Sequence, residues 1–137
     1  MTKRWKAGGI PFYWDAATDT VQVCLVTSTD PTFGGPDPQI AKGEAEEGEL
    51  PRDTAIREMS EETGIDPIHI SATVALGKIE KKSHTLYVFG YDVLREIPCV
   101  PNWEAVGAWY DIRQALRVIR GDQQFMIVAL MKELKVN

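Results

Sequence analysis

The chain has 137 residues, 44% of them hydrophobic and 26% charged, and carries a net charge of −5. That length and composition suit one globular domain, 1–137, with a real core, and a pI of about 5.0 without a visible basic patch argues against a general nucleic-acid binder. No apolar run has the length of a membrane span and MTKRWKAGG lacks the apolar centre of a secretory signal, so the expectation is a cytoplasmic protein with no membrane partner.

Residues 4–14 (RWKAGGIPFYW) read as a strand in which Gly8 and Gly9 mark either a bulge or a close backbone approach. Residues 15–20 read as a turn, and 21–28 as a mostly buried strand. Cys24 lies in that strand; it could pair with Cys99, but its VQVCLV setting suits a buried reduced thiol. Residues 29–38 (TDPTFGGPDP) are a Pro- and Gly-dense loop. Phe33 at its tip either pins the loop to the core or stacks on a base. A short strand at 39–41 leads into Lys42 and Gly43.

Residues 43–65, GEAEEGELPRDTAIREMSEETGI, hold eight carboxylates against two arginines, a local charge of −6 within a chain of −5. Pro51 suits a first helical turn and Gly64 a left-handed helix stop. Between them Ala55, Ile56, Met59 and Thr63 share one helical side. Glu58, Glu61 and Glu62 share another, with Arg57 four residues before Glu61. Composition alone leaves two readings open, a solvated acidic face or a site for hard divalent cations that relieve the repulsion.

Beyond the helix, 68–80 and 84–94 read as two strands joined near Lys81, Lys82 and Ser83. Residues 95–104 form a loop with Pro98 and Pro101, and 106–110 a short strand. Asp111 can cap a helix to about Ile119. Gly121 and Asp122 break the chain before a last helix over 123–135. Its apolar residues, Phe125 to Leu134, nearly surround it and predict heavy packing. Strands interleaved with two or three helices give an α/β (α+β) sandwich.

The spacing of the acidic stretch decides between its two readings. Gly43, five residues, Glu49, seven residues, then Arg57, Glu58, Met59, Glu61, Glu62, Gly64 and Ile65 match the Nudix box without a gap. The coincidence has a chance below about 10⁻⁹ per start point at average residue frequencies. The chain therefore resembles the Nudix hydrolases. The resemblance implies their fold, a mixed β-sheet sandwiched between α-helices with a catalytic loop–helix–loop. It implies their reaction, metal-dependent hydrolysis of a diphosphate linkage in a nucleoside diphosphate linked to X by water attack on phosphorus, and their cofactor, Mg²⁺ or Mn²⁺. An acidic protein that binds an anionic substrate makes sense when metal ions sit between them.

Carried over residue by residue, the resemblance makes Glu58 and Glu62 the principal metal ligands and the carbonyl of Gly43 a backbone ligand. It makes Glu61 a residue that binds metal or orients water. Arg57 and Glu49 become an ion pair that holds the loop against the helix. Glu104, five residues before Trp109, resembles the late-loop Glu that serves some members as catalytic base or extra ligand. Lys42, Lys81 and Lys82 are the candidate phosphate contacts, Lys42 foremost because it adjoins Gly43; His84 alone is a weak signal. Ala41 replaces the Pro common in the family, and Leu50 replaces a Ser or Thr cap worth typically about 1 kcal/mol; neither touches a predicted ligand.

Two Cys and two His give no zinc site, and no GxxxxGK[ST] stretch gives a Walker loop. The chain also lacks the Asp-rich loop of an EF-hand. No array typical of the NADH or coenzyme A enzymes is evident, and the aromatic marker of one dinucleoside polyphosphate group, due near Glu80 to Lys82, is missing. The start of the box and the Glu before Trp109 look most like enzymes acting on dinucleoside polyphosphates or on capped or 5′-triphosphate RNA ends. The alternatives are a nucleoside triphosphate or ADP-ribose pyrophosphatase, and, in another class, a non-catalytic nucleotide-binding Nudix module. The expected partner is thus a nucleotide-type small molecule, with an RNA 5′ end as one such substrate; the resemblance leaves a homodimer open.

Overall fold

The computed structural model describes residues 4–30, 32 and 35–137, so the expectation for Phe33 lies outside the described residues. Six strands and three α-helices form among them: β1 (Arg4–Asp15), β2 (Thr20–Ser28), β3 (Ala41–Glu44), α1 (Pro51–Thr63), β4 (Ala72–Glu80), β5 (His84–Asp92), β6 (Ala105–Asp111), α2 (Ile112–Val118) and α3 (Gln124–Leu134). The sheet runs β4-β5-β1-β2-β6. It is mixed, because β1 and β5 run parallel while the neighbouring pairs are antiparallel.

The long strand β1 serves two partners along one edge. Its end, Phe12–Asp15, pairs with β2, and its start, Lys6–Gly9, pairs with β3. Side chains alternate along it. Ala7 and Tyr13 pack with Ala55 and Met59 of α1. Ile10 and Phe12 pack on the opposite face with Ile112 of α2 and Met126, Ile127 and Leu130 of α3. The sheet is therefore sandwiched between the box helix and the two late helices, the layering the resemblance implies.

Some expectations shift. The strand read at 39–41 forms at Ala41–Glu44, because pairing with β1 draws Gly43 and Glu44 into the sheet; Gln39 keeps only a bridge to Val26. The strand expected from 68 starts at Ala72, since Asp66 accepts from the Ile68 N–H and starts a one-turn 3₁₀ segment at Pro67–His69. The last helix also opens with a 3₁₀ turn, Gly121–Gln123. It packs less fully than its composition suggests: Phe125 is 44% and Val128 45% exposed, because only the side carrying Met126, Ile127 and Leu130 meets the sheet.

Of the two readings for Gly8 and Gly9, close approach is the one realised. A Cβ on Gly8 would stand 2.4 Å from the Ala41 carbonyl oxygen, and one on Gly9 2.5 Å from the Tyr91 ring. The bulge lies in β4, between Ala75 and Gly77, where Gly77 takes φ 127°. Cys24 and Cys99 are free thiols, as read, but their sulfurs stand 3.4 Å apart. Among the described residues no helix is long and apolar enough to cross a membrane.

Candidate active site

The site is built where β3 runs into the loop before α1. Pro51 opens the helix and Gly64 closes it in the left-handed region at φ 77°. Leu50, in the N-cap position, has no side-chain acceptor; Asp53 Oδ2 accepts from the Leu50 N–H at 3.1 Å, which is half of a capping box. The buried side of α1 carries Ala55, Met59 and Thr63, as its spacing predicts, and also Thr54, while Ile56, expected with them, is only half-buried at the edge of the same cluster. That burial turns Glu58 and Glu62 toward β3.

Arg57 organises the loop. Its Nε and Nη2 donate to the two oxygens of Glu49 at 2.8 and 3.1 Å, and Nη2 also reaches the Glu44 carbonyl at 2.9 Å. Nη1 donates to Glu58 at 3.0 Å and to Glu61 at 3.3 Å. This is the planar fork that lysine cannot reproduce. The bonds from Arg57, then from the Glu46 N–H, hold the Glu49 carboxyl down at about 2. The same bonds raise the Arg57 guanidinium still further.

Glu58 faces Gly43. A Cβ on Gly43 would lie 2.2 Å from the Glu58 carboxyl carbon, so the missing side chain is the space that the carboxylate fills. Glu62 is tied to β3, its Oε2 accepting from the Lys42 N–H at 2.9 Å. Burial pushes the Glu62 carboxyl up to about 8, helped by the charge of Glu58. Burial also raises Glu58, opposed by Arg57 and reinforced by Glu61 and Glu104. These are carboxylates held in a place where their own charge is disfavoured.

Glu104 comes to the same place from the other end of the chain. It borders a small pocket of about 110 Å³ with Glu62, Lys42, Ser28 and Gln39. Asn102, which sequence reasoning passed over, positions it: Asn102 Nδ2 donates to the Glu61 carbonyl at 2.6 Å, and its Oδ1 accepts from the N–H groups of Glu104 and Ala105. The Val100 N–H also donates to the Thr63 carbonyl at 2.9 Å. An isolated Asn in a loop carries no signal of such a role. Trp103, 84% exposed beside Glu104, was likewise unmarked.

The predicted residues are not equally close. Gly43, Glu58, Glu62, Lys42 and Glu104 converge. Glu61 is on the same helix side, yet more exposed and turned to Arg57. Lys81 lies within electrostatic reach of Lys42. Lys82 is exposed and makes no hydrogen bond or ion pair among the described residues.

The donor set suits a hard divalent cation: carboxylates, a backbone carbonyl, and a cradle at Gly43 that a Cβ would fill. As the side chains stand, no three acidic, histidine or cysteine groups among the described residues are gathered tightly enough to hold an ion. Glu58 is engaged with Arg57 instead.

The family profile described as NUDIX domain matches residues 12–129. No curated protein matches the chain. Among solved structures, one of Listeria monocytogenes str. 4b F2365 assigned as a NUDIX hydrolase superposes with a TM-score of 0.76 at 21% identity, over 96% of this chain and 94% of that one. A C. elegans Ap4A hydrolase complex gives 0.73 at 16% identity, over 96% and 98%. The NUDIX domain of Shewanella oneidensis NrtR, complexed with ADP ribose, gives 0.74 at 15% identity, over 98% and 90%. At such identities the likeness is one of fold.

Proposed function

The chain belongs to the NUDIX family, and on that premise we propose that it hydrolyses a diphosphate linkage in a nucleoside diphosphate linked to X, by attack of water on phosphorus. The observation that carries the reading is the Glu58 carboxylate seated against the side-chain-free Gly43, with Glu62 bonded to the next backbone N–H, that of Lys42, and bordering one pocket with Lys42 and Glu104. Every box carboxylate is present, which favours catalysis over a binding module.

Glu58, Glu62 and the Gly43 carbonyl would hold Mg²⁺ or Mn²⁺, with Glu61 beside them. Bound there, the ion neutralises phosphate oxygens and acidifies water. The protein's own part is distinct. Arg57 and Glu49 lock the loop so that Gly43 and Glu58 keep their register. The Lys42 ammonium faces the phosphates. Glu104, bordering the pocket with Glu62, takes the proton from the attacking water. Its orientation comes from Asn102, which ties the late loop to the C-terminal turn of α1.

For the substrate we favour a dinucleoside polyphosphate or a 5′-triphosphate or capped RNA end. The start of the box and the Glu before Trp109 support this. The test is phosphate release, with products separated by chromatography, from dinucleoside polyphosphates, nucleoside triphosphates, ADP-ribose, NADH and 5′-triphosphate RNA in Mg²⁺ or Mn²⁺. Turnover should be lost in Glu62→Gln and fall about 10²–10⁴-fold in Glu104→Gln. A fall under about threefold in Glu104→Gln would remove that residue as base. No turnover of any substrate would favour the binding-module reading.

A further inference from the structure

Two thiols meet beneath the late loop. Cys24 is buried in β2 opposite Trp109 of β6, and Val26, two residues on, stands opposite Gly107. Alternation therefore puts Cys24 and Gly107 on one face of the sheet, the face that α1 covers. Cys99 comes down onto that face from the loop between β5 and β6. The loop is held on both sides of it. The Trp109 Nε1–H donates to the Ile97 carbonyl at 2.8 Å, and the Val100 N–H to the Thr63 carbonyl at 2.9 Å. The bare Gly107 makes the space: a Cβ there would stand 2.9 Å from the Cys99 sulfur and 3.3 Å from that of Cys24. Two sulfurs 75 residues apart in the chain are thus brought to 3.4 Å.

Distance alone describes two core thiols in contact, but their surroundings give them different roles. Cys24 is 1% exposed and Cys99 only half-buried, so a small oxidant reaches Cys99 first. The hydrogen bond from Cys24 holds the Cys99 thiol below its ordinary range, against its burial. The same bond, with burial, pushes the Cys24 thiol well up. Thiolates are the nucleophiles of thiol chemistry, so the accessible member of the pair is also the reactive one.

We propose that Cys24 and Cys99 form a reversible redox pair, in which Cys99 reacts with hydrogen peroxide and Cys24 resolves the product to a disulfide within the chain. The Cys99 sulfur attacks one peroxide oxygen and the O–O bond breaks. The departing hydroxide takes up the proton that Cys99 released, and Cys99 becomes a sulfenic acid. The Cys24 sulfur then attacks the Cys99 sulfur. The S–S bond forms, the S–O bond breaks, and the second hydroxide leaves as water with the Cys24 proton. Two thiols are oxidised by two electrons, and one peroxide is reduced to two waters. Closing 3.4 Å to a bond of about 2.05 Å moves the sulfurs little more than about 1 Å. The loop supplies that movement, because Cys24 is fixed within the sheet. The bond ties to β2 the loop that carries Asn102 and Glu104. The chemistry of the pair is independent of the hydrolase reading.

The test treats the full chain with hydrogen peroxide, counts free thiols under denaturing conditions and reads the intact mass. Wild type should lose both thiols and the mass of two hydrogens, and a dithiol reductant should restore both. Peptide mapping should join the segments around Cys24 and Cys99 within one chain. Cys24→Ser should stop at a sulfenic acid that dimedone traps, and Cys99→Ser should keep its Cys24 thiol. Gly107→Ala keeps both thiols but crowds both sulfurs, and should slow thiol loss about tenfold or more, on the scale of a 1 Å misplacement. Amide hydrogens from Cys99 to Ala105 should exchange more slowly in the oxidised protein. Two thiols that survive a peroxide dose sufficient to oxidise free cysteine would overturn the pair. So would a gain of oxygen in place of the loss of two hydrogens, or cross-links formed only between chains. A wild-type rate in Gly107→Ala would overturn the role of the space it leaves, and unchanged exchange would overturn the tether.

Discussion

Gly43→Ala separates the fold from the site. The new Cβ would fall 2.2 Å from the Glu58 carboxyl carbon and Oε1, and 2.6 Å from Oε2. Ordinary carbon contacts need about 3.5 Å, so the carboxylate must retreat by more than about 1 Å. What moves is the tip of a flexible side chain, and an off-rotamer Glu58 costs only about 0.5–1.5 kcal/mol. The bond from Arg57 Nη1 to Glu58, 3.0 Å long, is lost with it. Melting should fall by a few degrees, while turnover drops about 10²-fold or more, the scale of a 1 Å misplacement. Mn²⁺ titration by calorimetry should show weakened binding in parallel. Gly121→Ala, where a Cβ meets nothing within 4 Å, is the control and should be silent. A Gly43→Ala protein with wild-type Mn²⁺ affinity and turnover would refute the reasoning.

Three further outcomes follow from the same geometry. Arg57→Lys keeps the charge but loses the fork on Glu49 and the bond to the Glu44 carbonyl. It should cost about 2–3 kcal/mol in urea unfolding, and a loss under about 0.5 kcal/mol, the size of an exposed pair, would argue against the fork. Glu62, raised by burial from 4.5 to about 8, keeps its proton in the folded state where the unfolded chain has lost it. The metal-free protein should therefore be most stable below about pH 4.5 as far as this group is concerned, and lose that contribution as pH rises through about 8. Glu62→Gln should flatten that decline in a series of melts, and parallel curves for the two proteins would contradict the shift. Leu50, 68% exposed in an extended N-cap position, lacks an acceptor that Ser would supply. Leu50→Ser completes the box begun by Asp53 and should add about 1 kcal/mol; an unchanged melting temperature would show the cap to be idle.

Local rules explain what was legible in the residues. Pro51 and Gly64 bound α1 because each has a preferred backbone conformation that no distant contact has to impose. The shared face of Glu58 and Glu62 follows from helical spacing, and the pairing of Arg57 with Glu49, implied by the family resemblance, is realised within the same loop and helix. The strand edges drifted for the opposite reason. Gly43 and Glu44 become strand only because β1 lies beside them, and only one side of α3 finds a sheet to cover.

The sequence by itself determined the family and the helix that carries the carboxylates proposed to hold a cation, because all of these lie within one contiguous stretch. Tertiary structure alone decided what stands around them. Glu104 meets Glu62 because Asn102 ties the late loop to α1 across about forty residues of chain. Arg4, Lys6, Lys42 and Lys81 are scattered through the chain and show no basic patch as a sequence. Parallel pairing of β1 with β5 and antiparallel pairing of β1 with β3 collect them at one end of the sheet. Strand register is a long-range property, set by the pleat and by which faces are buried. The acidic residues are therefore written in one contiguous stretch, while the nearness of Lys6 and Lys42 exists only once the sheet has formed.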